Sequence, residues 1–86
     1  MANFTEKTIL EALKNNCFIL SFHAMNHRMS QRNVRRMDII ECAKTAKKCL
    51  FDAKRNTFKI VGQDIDGEEL TVIVGIDRDI IVITVY

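Results

Sequence analysis

In the first half of the chain the apolar positions recur every three to four residues, and from Cys49 onward they alternate. Over residues 5–15, Ile9, Leu10 and Leu13 share one helical face, with Thr5 as N-cap and Asn15-Asn16 as a stop, which predicts a short amphipathic helix. Residues 18–22 are apolar and brief, an extended entry into a second helix running from Ser21 or His23 to Asn33. Asp38 reads as the N-cap of a third helix, with Glu41 three residues later completing a capping box. Ile39, Ile40, Ala43 and Ala46 form its apolar side, and Lys44, Lys47 and Lys48 load its last turn, where the helix dipole favours cations.

The period of two predicts strands at about 50–53, 57–64, 69–76 and 80–86. Asp66-Gly67 is the signal of a two-residue type I′ hairpin, because both central residues of that turn need positive φ. If Asp77-Arg78 is also a two-residue loop, Val61, Leu70, Val72, Val74, Ile81, Ile83 and Val85 fall on one face, the core under the helices. The other face then shows Phe58, Ile60, Gly62, Thr71, Ile73, Gly75, Val82, Thr84 and Tyr86, where two glycines leave room for a ligand or partner. A three-residue second turn would reverse the last strand. The expected architecture is α+β: two to three N-terminal helices on one face of a three- to four-stranded antiparallel sheet, as a single domain over residues 1–86.

Composition supports folding and narrows the location. Hydrophobic residues at 48% with charged residues at 28% are ordinary for a globular chain, and 86 residues suffice for one core. Pro is absent and Gly occurs three times, so no flexible linker divides the chain. No apolar run reaches the roughly 20 residues of a spanning helix and the start has no apolar signal core, so the expectation is a cytoplasmic protein with no membrane partner. Cys17, Cys42 and Cys49 have neither disulfide-framework nor zinc-site spacing, and read as buried or idle thiols.

Charge changes the picture more. The net charge of +2 hides a sum of +8 between Lys7 and Lys59 and of −5 between Ile60 and Tyr86. Charged hairpin tips account for much of the acidic half by solubility alone. The basic half, however, asks for an anionic partner. Between Ala12 and Met37 there is no Asp or Glu, yet His23, His27, Arg28, Arg32, Arg35 and Arg36 crowd together.

Such a cluster suits metal-independent cleavage of RNA, in which the ribose 2′-OH attacks the adjacent phosphate. A base takes the proton, an acid protonates the leaving oxygen, and cations stabilise the phosphorane; imidazoles and guanidiniums supply all three. On a helix, His23 and His27 share a face, whereas Arg28 and Arg32 lie about 100° round from them. The sheet must therefore contribute, and Lys59, Thr84 and Tyr86 are its best-placed polar groups. His23 and His27 also have the spacing of a metal-binding pair. Without an intervening acid, and with arginines as neighbours, a dication is repelled, so no metal and no cofactor is expected.

These residues resemble a known family. The run SFHAMNHRMSQRNV, the helix start MDIIE, a strand with a DG hairpin and the ending IIVITVY are similar to a bacterial and phage-borne domain family of unknown function, number 4258, over about residues 18–86. That family in turn resembles the RelE/ParE-type toxins, related to barnase-, EndoU- and colicin-like ribonucleases. Those proteins place helices on one face of a small antiparallel sheet and a metal-independent RNase site on the other. The resemblance implies catalytic roles for His23, Arg28, Arg32 and Tyr86, with Thr84 also carried over. In the family pattern the histidine lies four residues before the arginine of Arg-Met, whereas His23 lies five before Arg28, so His23 and His27 both stand as candidates; Asn33 replaces a glycine. Arg35, Arg36, Lys59 and Thr84 are the expected nucleic-acid contacts. The implied function is an endoribonuclease-type toxin with RNA as substrate and an antitoxin protein as partner. The alternative is a non-enzymatic binding module, either a nucleic-acid binder or an inhibitor of a host protein.

Overall fold

A computed structural model describes residues 5–21 and 34–86. Its elements are α1 (Glu6–Lys14), β1 (Ile19–Leu20), α2 (Arg36–Lys44), β2 (Lys48–Asp52), β3 (Thr57–Gln63), β4 (Glu69–Asp77) and β5 (Asp79–Val85). The helix predicted from Ser21 or His23 to Asn33 lies outside the described residues. The α+β class holds, with two helices and a five-stranded sheet in the order β1-β5-β4-β3-β2 among those residues. The sheet is not wholly antiparallel: β1 pairs parallel to β5, so the expected three to four antiparallel strands become five of mixed direction.

α1 begins and ends as its sequence dictates. The Thr5 hydroxyl accepts from the Thr8 N–H at 3.3 Å. At the other end Asn16 turns left-handed (φ 61°), its N–H reaches the Leu13 carbonyl (3.1 Å) and the Cys17 N–H reaches that of Ala12 (2.8 Å). This is a Schellman closure, with Asn supplying the conformation that Gly usually provides. α2 starts earlier than expected. Its N-cap is Arg35, whose side chain has no acceptor, so Asp38 sits in the first turn and not at the cap. From there the nearly buried Asp38 carboxylate accepts the Arg35 N–H (2.9 Å) and the Ile65 N–H (3.1 Å), tying α2 to the β3–β4 hairpin. α2 also ends earlier: only Lys44 lies in its last turn, Lys47 follows it and Lys48 opens β2.

Neither tight turn has the two-residue length the sequence suggests, and that resets the faces. In the β3–β4 hairpin the Gly67 N–H reaches the Asp64 carbonyl (3.0 Å), Gly67 is left-handed (φ 85°), and the Asp64 N–H reaches the Glu68 carbonyl (2.8 Å). The loop thus has three residues, a type I turn closed by a left-handed glycine, and not a two-residue type I′ turn. Ile60 then pairs with Val72 and Phe58 with Val74, so Phe58, Ile60 and Gly62 face the helices while Val61 turns outward. Between β4 and β5, Asp77 pairs with Asp79 across a left-handed Arg78 (φ 66°), which reverses the first part of β5: Ile80 and Val82 enter the core, and Ile81 and Ile83 leave it. A bulge at Ile83 reverses the strand again, since Val74 pairs with Val82 but Ile73 with Thr84. Val85 therefore returns to the core as expected.

The core lies between one sheet face and the two helices. Ile9 and Leu13 of α1 and Ile39, Cys42 and Ala43 of α2 meet Ile60, Leu70, Val72, Val74 and Val82 of the sheet. At Gly62 the α2 backbone approaches the sheet closely: a Cβ there would collide with the Cys42 carbonyl and lie 3.1 Å from the Thr45 hydroxyl. At Gly75 a Cβ would meet the Ile83 side chain at 2.7 Å. The space at Gly62 is thus filled by the protein's own groups and is not the opening for a ligand expected from the sequence, whereas Gly75, beside Ile83, lines a small hollow of about 220 Å³ with Thr57 and Ile81.

Candidate nucleic-acid interface

The opposite sheet face carries no helix among the described residues. On β3, Lys59 alternates with the buried Phe58 and Ile60 and so points to that open face, opposite Leu50 and Ile73 in the neighbouring strands. The bulge at Ile83 brings Thr84 to the same side, and Tyr86, about half exposed, follows it. Tyr86 is fixed by a reciprocal pair of backbone hydrogen bonds with Thr71 (2.9 and 2.7 Å). Lys59, Thr84 and Tyr86 consequently line one groove of about 620 Å³, with Leu50, Arg55 and Ile83 among its other walls. The one-residue slip in the turn and the bulge cancel beyond Ile83. Thr84 and Tyr86 therefore stand where the sequence expected them although the strand before them is reversed.

A second hollow of about 540 Å³ continues the first, sharing Leu50, Lys59 and Tyr86 and adding Lys47, Lys48 and Glu69. Together they make a trough with an apolar floor and a rim of Lys47, Lys48, Arg55 and Lys59. The ion pairs Lys14–Glu11 and Arg55–Asp52 do not use the three lysines of the trough. The spacing of Lys47 and Lys48 behind a helix suggests dipole partners. The alternation of Lys48, Leu50 and Asp52 was the available sign that a strand had already begun and that these side chains share a face with Lys59.

The two arginines at the start of α2 are in the other layer. Arg36 donates from Nε to the Asn16 side-chain oxygen (2.8 Å) and from Nη2 to the Phe18 carbonyl (2.8 Å), with its guanidinium 4.1 Å from the centre of the Phe18 ring. Arg35 is exposed beside Asp38, Asp64 and Glu68 in a small hollow at the β3–β4 hairpin. Neither lines the trough. His23, His27, Arg28 and Arg32 lie outside the described residues. Ser21 is described, and its N–H and Oγ donate to the carbonyls of Val82 and Ile83, both at 2.9 Å, alongside the strand that carries Thr84.

Burial holds two thiols in their protonated form. The Cys42 thiol, under α2 and donating to the Leu70 carbonyl, is pushed up to about 12 by burial, with the nearby Asp64 charge acting in the same direction against a backbone hydrogen bond at Gly62. Cys49 is pushed up to about 11 by burial and then by the Glu6 carboxylate. Neither is a nucleophile at neutral pH. Among the described residues no three His, Cys, Asp or Glu side chains converge on a point that could hold a metal ion. No helix among them is long and apolar enough to cross a membrane.

A small α+β domain with helices on one sheet face and a lysine-rimmed trough on the other is thus the class that fold and site define. The chain belongs to the family described as Domain of unknown function (DUF4258), whose pattern matches residues 20–86. Comparisons with curated proteins and with solved structures give no match.

Proposed function

We propose that the protein is a metal-independent endoribonuclease of the toxin type, with a RelE/ParE-like fold, that binds RNA along the open face of its sheet. The observation that carries this reading is the trough itself. Lys47, Lys48 and Lys59 supply mobile cations for a phosphate backbone, the half-exposed Tyr86 offers a ring on which a base can stack, and Leu50 and Ile83 give an apolar floor. The bond between Ser21 and the Ile83 carbonyl supports the histidine roles, because it anchors the chain beside Thr84 two residues before His23.

In this reading His23 or His27 takes the proton of the 2′-OH as that oxygen attacks phosphorus, and the leaving 5′-oxygen receives a proton in turn. Arg28 and Arg32 hold the scissile phosphate and stabilise the phosphorane, while Thr84 and Tyr86 orient the nucleotide. A cognate antitoxin would cover the same trough with acidic groups.

Labelled RNA incubated with the purified protein tests it. Cleavage is expected, lost in His23→Ala or His27→Ala while binding persists. The Lys48→Ala/Lys59→Ala variant should bind RNA with a salt slope shallower by about 0.7 per contact removed. Binding without cleavage would assign the trough to a non-enzymatic nucleic-acid module, and absence of both would overturn the reading.

A further inference from the structure

We propose that two copies of the chain associate edge to edge through β2, joining their sheets about a two-fold axis that passes through Leu50. β2 is an outer strand of the sheet, and among the described residues no strand pairs with its free side. An edge of this kind presents unpaired N–H and C=O groups, which proteins usually blunt with proline, a bulge or brevity. This edge is five residues long, has neither Pro nor Gly, and shows two large apolar side chains about half exposed, Leu50 at 55% and Phe51 at 51%.

The strand is complementary to itself. Laid antiparallel about Leu50, the segment Lys48-Cys49-Leu50-Phe51-Asp52 sets Lys48 opposite Asp52 of the second copy, Cys49 opposite Phe51, and Leu50 opposite Leu50. Every direct pair is then of opposite charge or apolar, the combinations that stabilise cross-strand neighbours. The faces agree as well. Lys48, Leu50 and Asp52 lie on the open side, paired with Val61, Lys59 and Thr57, while Phe51 lies on the helical side, its ring 4.9 Å from that of Phe58. A two-fold axis normal to the sheet keeps the helices of both copies on one side, so the pairing can slip only by two residues. Either such slip sets Leu50 against Lys48 or Asp52 and breaks the charge match.

Asp52 is available for this contact. Its Oδ1 accepts the Lys54 and Arg55 N–H groups of its own turn (3.0 and 3.4 Å), whereas Oδ2 has the exposed Arg55 at 4.0 Å. A five-residue edge covers less than the roughly 800 Å² per partner of a standard interface, so the dimer is weak and concentration-dependent. Because Leu50 and Lys59 line both hollows of the trough, association would join the two troughs across the axis. The inference stands whether or not the trough binds RNA.

Sedimentation equilibrium over about three decades of concentration should show a reversible monomer–dimer equilibrium. Lys48→Asp and Asp52→Lys should each lose the dimer, since each sets like charges opposite one another. Mixed in equal amounts they should form a heterodimer, in which both pairs are again complementary. In a Cys17→Ser background, Leu50→Cys should give a disulfide-linked dimer on mild oxidation and Lys48→Cys should not, because only position 50 meets its own copy within disulfide reach. The crosslinking arm leaves the Asp52 turn intact, so a folding defect in Asp52→Lys does not blunt the test. A wild type that stays monomeric throughout, a mixture of folded variants that stays monomeric, or equal crosslinking at positions 48 and 50 would each overturn the proposal.

Discussion

A cationic side chain advertises its charge in the sequence but not what it faces, and Arg36 shows the difference. It sits in the densest basic segment of the chain, yet its guanidinium closes the left-handed cap of α1 through Asn16, holds the Phe18 carbonyl and stacks on the Phe18 ring. One side chain thereby fastens α1, the approach to β1 and the start of α2. Charge-assisted hydrogen bonds at two sites and a cation–π contact predict that Arg36→Ala lowers stability by about 2–3 kcal/mol in denaturant titration. Arg36→Lys should recover little of that loss, because an ammonium cannot reproduce the planar fork. RNA affinity of the folded Arg36→Ala protein should match the wild type, as this residue lies in the layer opposite the trough.

At the scale of elements, α1 was legible almost to the residue and the register of the sheet was not. Period-two alternation gives two faces and leaves open which one is buried; only the loop lengths decide. Asp66-Gly67 fits a two-residue turn, but Asp64 at the first and Gly67 at the fourth position is equally the signature of a type I turn, and the Asp64 carboxylate accepting the Glu68 N–H at 2.9 Å favours it. The apolar Ile65 looks like a strand residue and hides this, although it is half exposed at the loop tip. The bulge at Ile83 has no mark in a run of β-branched residues, yet it aims Thr84 at the open face. Gly62 carries the clearest consequence of the true register. Gly62→Ala should cost about 3 kcal/mol or more, since the new methyl meets the backbone of α2, which cannot yield without lifting the helix. Gly75→Ala meets only the flexible end of Ile83 and should cost about 1 kcal/mol; comparing the two in thermal unfolding checks the assignment of faces.

For the molecule as a whole, one sheet face is committed to the core while the other carries no helix among the described residues, and the thiols on the committed side make stability depend on alkaline pH. Cys42, fully buried, and Cys49, partly buried, ionise near 9.0 when free but at about 12 and about 11 in the folded chain. Below pH 9.0 folded and unfolded chains both hold these protons, and the thiols' contribution is fully present. Above it the unfolded chain releases them first, so each pH increment favours unfolding until the folded-state value is reached. Stability should therefore fall progressively from about pH 9 upward. The measurement that isolates the thiol is a comparison. The drop in melting temperature between pH 8 and pH 10.5 (about 2.5 units, enough to ionise the unfolded thiol) should be smaller in Cys42→Ala than in the wild type. An equal drop in both would mean that Cys42 is hydrated and that α2 does not seal the sheet at Gly62 and Leu70.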